Sequence, residues 1–257
     1  MDINIMVLNV GNSRLASGAF VGGELRQTAR AGIGERGEWE GVITQAWEKF
    51  AGVKGVEIAG ASVNPGVVRE VEPMVERITG KTIQWVGREL ELPIPVSTDK
   101  PEETGVDRVL NVAAAFEQMD KACAVVDAGT AITVDVCNHQ GIFLGGAIFP
   151  GVNMMLDALN EKTARLPRVT LARPDGAFGR STSGAICQGI FHGVRGMVKE
   201  LLENYATELG GWPDLIATGG DAELLFGGWE LVHAISPDLT LYGIALAYAE
   251  HHIQHGG

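Results

Sequence analysis

VLNVGNSRLASGAF (7–20) and VVDAGTAITVDV (125–136) are the two stretches that decide the fold of this 257-residue chain. Each is an apolar β-type run that reaches an Asn or Asp, then a spacer, a Gly, a hydroxyl residue and a second β-type run. The equivalent residues Asn9 and Asp127 lie 118 positions apart, close to half the chain. Two unrelated glycine-containing hairpins are the alternative explanation. We interpret the repeated pattern as two similar α/β domains, 1–118 and 119–257, that face each other across a cleft.

The pattern outward from each copy alternates between strands and helices. The turn Val21-Gly22-Gly23 predicts one hairpin, and Gly141 predicts another. Apolar spacing predicts strands over 56–61, 82–86, 142–149 and 214–218, and helices over 39–50, 67–78, 104–119, 151–159, 181–209 and 239–252. The predicted fold class is therefore α/β, with each copy continuing into β/α units.

Composition and charge restrict the functional classes. Apolar residues make up 46% of the chain, enough for one large core or two modest ones. The net charge of −12 disfavours a non-specific nucleic-acid binder, because an acidic surface repels a phosphate backbone. Three cysteines without CxxC spacing are typical of a reducing cytosol, and no apolar run approaches a membrane span. We expect a cytoplasmic protein without a nucleic-acid or membrane partner.

The glycines indicate how an acidic chain could hold an anionic ligand. Glycine accounts for 35 residues, roughly twice the usual share, without a collagen period. A glycine turn lets the main chain approach a phosphate, while a hydroxyl such as that of Ser13 or Thr130 donates a hydrogen bond to it. A carboxylate at a strand end can hold a hydrated cation. The two loops predict a triphosphate clamp, and DLIATGGDAELL (214–225) offers a turn for adenosine.

Seven motifs in this order resemble the type III pantothenate kinases of the actin-like ATPase superfamily. Together they span most of the chain, and GVDRVLN, DAGTAITVD and KTARLP are the most specific. The motifs are VGNS (10–13), GVDRVLN (105–111), DAGTAITVD (127–135), GGAIFPGVNMMLDAL (145–159), KTARLP (162–167), GRSTSGAI (179–186) and TGG (218–220).

The resemblance implies a fold, an activity and a set of ligands. It implies two duplicated ribonuclease-H-like domains and transfer of the ATP γ-phosphate to the 4′-hydroxyl of pantothenate, in coenzyme A biosynthesis. It also implies Mg²⁺ or another divalent cation, K⁺ or NH₄⁺ as a monovalent cation, and a homodimer.

The resemblance also assigns roles to individual residues. It implies that Asp107 is the catalytic base and that Asp127 binds the monovalent cation. The implied pantothenate contacts are Thr98, Gly105, Val106, Asp107, Arg108 and Thr182. The implied ATP contacts are Asn9, Gly11, Asn12, Ser13, Arg14, Gly129, Thr130, Gly219 and Gly220.

Three of these residues have simpler interpretations. Asp107 could form an exposed ion pair with Arg108 in the first turn of a helix. Thr182 lies at a predicted helix start, where an N-cap role is an alternative to substrate binding, and both roles can hold together. Asp127 could be a structural turn residue.

Departures from the family pattern occur at three positions. Asn9 stands where the first phosphate loop normally has Asp, and Ala16 stands where it has a basic residue. Arg14 could compensate, unless strand alternation turns it to the other face. Thr98 stands where the family has Tyr. The alternative function is therefore a catalytically impaired or regulatory paralogue with the same fold, and a third is an actin-like ATPase acting on another hydroxylated acid.

Overall fold

The computed structural model describes residues 3–255, which form ten strands and seven α-helices. Both predicted hairpins are present, and the bounds of most predicted helices and strands are reproduced within about three residues. The strands are β1 Ile5–Val10, β2 Arg14–Val21, β3 Glu24–Gly32, β4 Glu57–Ser62, β5 Gln84–Trp85, β6 Cys123–Ala128, β7 Ala131–Cys137, β8 Phe143–Pro150, β9 Asp214–Thr218 and β10 Val232–Ile235. The helices are α1 Trp39–Trp47, α2 Pro65–Thr79, α3 Val106–Met119, α4 Val152–Glu161, α5 Thr182–Leu209, α6 Ala222–Phe226 and α7 Leu239–His255.

The two sheets have the same topology. The first has the strand order β3-β2-β1-β4-β5, and the second, read in the matching direction, has the order β8-β7-β6-β9-β10. In each, the first strand pairs antiparallel with the hairpin partner and parallel with the strand that follows the next helical segment. Asn9 and Asp127 occupy the same place, one residue before the end of the first strand. The duplicated α/β fold is thereby confirmed.

The chain divides into two compact units that each contain one sheet. The first unit comprises the chain through Pro95, Lys100–Ala114 and the chain from Leu239 onward. The second comprises Val96–Asp99 and Ala115–Asp238. These units differ from the predicted segments 1–118 and 119–257 mainly in helix α7, which belongs with the first sheet.

Helix α7 belongs to the first unit because its apolar side chains complete that unit's core. Leu241 and Ile244 are buried in the same cluster as Ile5 and Val7 on one face of the first sheet. The fit between helices is close, since a Cβ added at Gly243 would lie 2.7 Å from the carbonyl carbon of Leu110. Burial of this apolar surface favours the docking of α7.

The second unit has a large apolar core on one face of its sheet. Val126 of β6 and Val134 of β7 pack there against the buried side of α5, including Phe191 and Val194. Strand alternation leaves Asp127 and Thr133 on the opposite face. The polar residues of the second copy are thus separated from the core by the sheet itself.

Helix α5 begins with a side-chain cap. Ser181 is the N-cap residue, and its Oγ accepts a hydrogen bond from the Gly184 N–H at 3.0 Å. Thr182 is the first residue of the helix and is exposed. The capping role considered for Thr182 therefore belongs to Ser181.

No helix in the described part of the chain is both long and apolar enough to cross a lipid bilayer.

Candidate functional site

Asp107 lies in the first turn of helix α3, within the first unit. Its Oδ1 accepts a hydrogen bond from the backbone N–H of Arg108 at 2.9 Å. The preceding Gly105 leaves room for the carboxylate, because a Cβ at that position would lie 2.8 Å from Asp107 Oδ1. The Gly105 carbonyl accepts from the N–H of Arg108 and begins the helix. Gly105, Asp107 and Arg108 therefore form one compact local arrangement.

The carboxyl of Asp107 has a perturbed acidity. Burial raises its pKa above the usual range for Asp, because loss of water penalises the charged form. The Arg108 N–H and guanidinium act in the opposite direction without cancelling the effect of burial. A carboxylate that binds a proton more readily than usual is suited to general-base chemistry. This environment does not fit the alternative of an exposed ion pair.

The first loop connects β1 and β2. The Gly11 N–H donates to the Arg14 carbonyl at 3.0 Å, and Asn12 and Ser13 are exposed at the tip. Asn9 pairs with Ala16 across the antiparallel ladder, and residues two apart in a strand share a face. Arg14 therefore lies on the same face as Ala16 and Asn9. The alternation considered above does not turn its guanidinium away from this face.

The neighbours of Asn9 differ from those of Asp127. Asn9 stands between Ala16 and Ala61 on the adjacent strands. At the equivalent place in the second sheet, Asp127 stands between Thr133 and Thr218. The first copy thus surrounds a neutral amide with small apolar side chains, whereas the second surrounds a carboxylate with hydroxyl groups.

The second loop, Gly129–Thr130, connects β6 and β7 and is closely supported from one side. The Gly129 N–H donates to the Ala131 carbonyl at 3.1 Å. Gly151, the residue before α4, lies against this loop, because a Cβ added there would be 2.5 Å from the carbonyl oxygen of Gly129. Thr130 itself is exposed. Gly151 is needed because any side chain would push the loop backbone away.

The Gly219-Gly220 turn lies beside Asp127. Gly219 has a φ of +96°, and a Cβ added there would lie 2.5 Å from both Ala128 O and Asp127 Oδ1. The Asp221 N–H donates to the Ala128 carbonyl at 3.0 Å and joins this turn to the end of β6. The fold of the second unit thus brings the distant Gly219-Gly220 turn beside Asp127 and the Gly129–Thr130 loop.

Thr98 and Thr182 belong to the second unit, whereas Gly105–Arg108 belong to the first. The segment containing Thr98 runs beside β8, where Ser97 N–H donates to the Phe143 carbonyl at 2.8 Å. The methyl group of Thr98 faces Gly145, because a Cβ added at Gly145 would lie 3.7 Å from the Thr98 Cγ2 atom. Thr182 lies at the start of α5, apart in sequence from both segments.

Asp135 was given no role by the sequence analysis. It is 2% exposed and lies on the same face of the second sheet as Asp127. Gly146 lies directly beside it, since a Cβ there would be 2.7 Å from the Asp135 Cα. A buried carboxylate is unusual, and the available sequence signal was the single Asp between two valines in the strand sequence TVDV.

The residues present fit a divalent cation that is held mainly by a nucleotide. Among residues 3–255, no group of three or more His, Cys, Asp or Glu side chains is arranged to hold a metal by itself. Mg²⁺ typically binds one or two carboxylates, substrate phosphates and water. Gly129 and Gly219, beside Asp127, carry no side chain that would cover its Oδ1, and this leaves space there for a cation.

Solved structures with similar folds share this organisation. One described as a Baf family transcriptional activator from Campylobacter jejuni matches with a TM-score of 0.61 and 22% identity, over 95% of this chain and 98% of that chain. The activator of 2-hydroxyisocaproyl-CoA dehydratase from Clostridium difficile, solved with bound ADPNP, matches with a TM-score of 0.55 and 11% identity, over 98% of this chain and 97% of that one. At these identities the matches show the fold alone, and the class of protein is a duplicated α/β fold with two five-stranded sheets.

Within that class, the chain belongs to the type III pantothenate kinase family, whose model matches residues 5–204. It is 32% identical to the type III pantothenate kinase of Syntrophotalea carbinolica, over 95% of this chain and 98% of the relative. It is 33% identical to that of Anaeromyxobacter dehalogenans over the same shares. Its activity is that of an ATP-dependent pantothenate kinase, with ATP and pantothenate as substrates and a divalent metal as cofactor. Nothing in these similarities favours an impaired or regulatory paralogue.

Proposed function

We propose that Asp107 is the general base of the pantothenate kinase reaction. Its carboxylate accepts the proton of the pantothenate 4′-hydroxyl while the hydroxyl oxygen attacks the γ-phosphorus of ATP and ADP leaves. The observation that carries this proposal is the carboxylate at the start of α3, with its pKa raised by burial and its space provided by Gly105. Gly105, Val106, Arg108, Thr98 and Thr182 bind and orient pantothenate.

We propose that the two glycine loops hold the ATP phosphates. The first loop supplies Asn9, Gly11, Asn12, Ser13 and Arg14, and the second supplies Gly129 and Thr130. Backbone N–H groups and hydroxyls are suitable phosphate ligands in a chain of net charge −12, in which acidic side chains outnumber basic ones. Gly219 and Gly220 accommodate the adenosine moiety.

Asp127 is proposed to bind K⁺ or NH₄⁺ near the phosphates. Its support is the neighbouring hydroxyl groups of Thr133 and Thr218, since oxygen atoms are the natural ligands of such cations, and the glycines on either side. When bound, Mg²⁺ neutralises charge on the transferred phosphoryl group. We further propose a cytoplasmic homodimer, in keeping with the family resemblance.

A coupled assay tests the activity and its cation requirement. We expect ATP and pantothenate to yield ADP and phosphopantothenate in the presence of Mg²⁺, and we expect K⁺ to raise turnover over a Na⁺ buffer of the same ionic strength. Omission of pantothenate is the control for uncoupled ATP hydrolysis. Turnover no greater than that background would contradict the kinase assignment, whereas equal rates in K⁺ and Na⁺ would contradict only the proposed cation site.

Asn9→Asp tests whether the neutral first loop limits metal handling. The substitution adds a carboxylate between Ala16 and Ala61 of the adjacent strands. We expect kcat/KM for ATP to rise about three- to tenfold at subsaturating Mg²⁺, because a carboxylate attracts the hydrated cation. The measurement is a Mg²⁺ titration of initial rates.

Asn138→Asp is the matched control for Asn9→Asp. Asn138 Oδ1 accepts from the N–H groups of Gln140 and Ile142, and an Asp oxygen can accept the same bonds. This variant adds the same charge in a hairpin turn away from the proposed loops. An equal gain in both variants would show that net charge, and not the position of Asn9, is responsible.

A further inference from the structure

A basic segment interrupts this acidic chain. Residues 162–180 contain five Lys or Arg and one Asp, a net charge of +4, so the rest of the chain carries −16. Arg168 is ion-paired with Asp157, and the remaining excess of positive charge favours an anion nearby. The segment connects α4 with α5 and includes motif residues to which the kinase reaction assigns no role.

The basic segment borders a half-open cavity inside the second unit. The cavity has a volume of about 550 Å³ and is lined by residues 172–181 together with Gly184, Cys187 and Gln188 of α5. Its volume lies within the range typical of small-molecule sites, about 300–1,000 Å³. Thr182 and Ser183 are not part of its lining. The cavity therefore adjoins a different face of α5 from the proposed pantothenate contact at Thr182.

Two guanidinium groups line the cavity. Arg180 makes no hydrogen bond or ion pair with any residue in the described range 3–255. Arg173 donates to the Gly227 carbonyl, and its guanidinium lies 5.9 Å from the centre of the Phe191 ring. Neither arginine is paired with a carboxylate among the described residues. Asp175 is the carboxylate in the lining, and it leaves the cavity with a net positive charge.

A third arginine lies close to Arg173 and adds to the positive potential. Arg195 lies 4.4 Å from the centre of the same Phe191 ring, and its Nε donates to the Leu225 carbonyl. Its Nη2 is buried without a hydrogen-bond partner in the described chain. Burial and the neighbouring charge of Arg173 lower the pKa of Arg195. Like charges are thus held close together, and an anion near Arg173 would relieve their repulsion.

We propose that this cavity binds a small phosphate-bearing anion. A phosphate group carries close to two negative charges at pH 7 and accepts paired hydrogen bonds from guanidinium groups. Arg173 and Arg180 would contact its oxygens, and the N-terminal end of the 28-residue helix α5 at Ser181 adds a favourable dipole. The site goes beyond the kinase reaction and uses none of the residues assigned to it.

Inorganic phosphate and a phosphate ester share this chemistry. Pro174 and Phe178 supply apolar surface at the cavity, and Phe178 is 77% exposed. An ester with an apolar arm, such as the enzyme's own product phosphopantothenate, would bury that surface and bind more tightly than phosphate alone. Titrations with each compound separate the two sources.

Isothermal titration calorimetry of the full chain tests the proposal. The titrations are done with Mg²⁺ and a non-hydrolysable ATP analogue at saturation, so that added phosphate does not enter the ATP site. We expect Arg180→Gln to raise the phosphate Kd about tenfold, the size of effect of one lost charge-assisted hydrogen bond. Asp175→Asn should lower the Kd several-fold, because it removes the repelling carboxylate.

Arg165→Gln is the matched control. Arg165 is an exposed cation of the same segment that is not part of the cavity lining, so its loss should change the Kd less than twofold. Arg173→Gln would also remove the hydrogen bond to the Gly227 carbonyl. Arg180→Gln and Asp175→Asn are therefore the variants that test the effect of charge alone.

Three outcomes would overturn the anion site. The first is an equal rise of the phosphate Kd in Arg165→Gln and Arg180→Gln. The second is an unchanged phosphate Kd in Asp175→Asn, and the third is no detectable binding of either compound by the unaltered protein. Phosphate binding that saturating pantothenate does not displace would separate this site from the kinase site, and displacement by pantothenate would also overturn the proposal, so its failure and that of the general-base proposal are distinguishable.

Discussion

Asp107→Asn is expected to lower kcat for pantothenate phosphorylation by about 10²–10⁴-fold, the usual contribution of a general base. Asn retains an oxygen that accepts the Arg108 N–H but cannot accept the proton of a substrate hydroxyl. The KM for pantothenate should change little by comparison, because the side chain keeps its shape. Steady-state kinetics with both substrates varied provides the measurement.

The raised pKa of Asp107 fixes the sign of two pH effects. The base works only when deprotonated, so activity should fall with acidification at a higher pH than an ordinary Asp would give. For stability, the folded state binds this proton more tightly than the unfolded state does. The carboxyl therefore favours folding below the ordinary Asp pKa, and this contribution is lost as the pH rises through the folded-state pKa.

Thermal unfolding should accordingly separate catalysis from stability. At neutral pH, Asp107→Asn removes a carboxylate whose burial is unfavourable, so its Tm should equal or exceed that of the unaltered protein. The difference should shrink at acidic pH, where Asp107 is itself protonated. A lower Tm together with lost activity would instead indicate that Asp107 has a structural role.

Asp120→Asn is the matched control for the activity loss. Asp120 follows α3, is exposed and has a φ of +51°, a conformation that Asn adopts readily. This variant should retain full kcat. Comparable losses in both variants, or full activity in Asp107→Asn, would contradict the assignment of Asp107 as the base.

Gly151→Ala is expected to disrupt the second phosphate loop without changing any polar group. The new Cβ would lie 2.5 Å from the Gly129 carbonyl oxygen, so the Gly129–Thr130 backbone must move. Overpacking of this kind lowers the free energy of unfolding by about 1–3 kcal/mol. The KM for ATP should rise at least about tenfold, if one phosphate hydrogen bond of about 1.4 kcal/mol is lost.

Gly193→Ala controls for the loss of a glycine. Gly193 lies on the exposed side of α5, and an added Cβ would meet no atom within 4 Å. Because Gly is unfavourable inside a helix, this variant should raise the free energy of unfolding by about 0.5–1 kcal/mol and leave the KM for ATP unaltered. An unchanged KM in Gly151→Ala, measured where the protein is fully folded, would argue against a phosphate role for this loop.

Much of the fold was predictable because its signals are local. Strand β9 was predicted with its observed bounds, and helix α5 was predicted one residue early, at its Ser181 cap. Strand β10 was missed because Val232–Ile235 is only four residues long, all of them half-buried or exposed, and its register beside β9 is shifted. Helix α3 begins at Val106, beyond the predicted cap Thr104, since Gly105 supplies the first carbonyl.

The candidate site was likewise predictable only in part from the sequence. The motifs of the sequence pointed to Asp107, Asp127 and the glycine turns as site residues, and their roles stay predictions. The sequence did not predict the burial of Asp135, nor that Arg14 shares a face with Asn9, because both depend on which strand lies alongside. It also did not predict the cavity beside Arg173 and Arg180, because that cavity is lined both by a loop and by residues of the helix α5 that follows it.

The sequence by itself determined the duplicated strand–turn–strand plan, the order of the family motifs and the family. These depend on spacing within a few residues and on a repeat that can be read along the chain. Only the tertiary structure decided that α7 completes the first sheet's core, that burial raises the pKa of Asp107, and that Gly151 supports the Gly129–Thr130 loop. Burial and close approach are set by groups far apart in sequence, and no local pattern specifies which of them will meet.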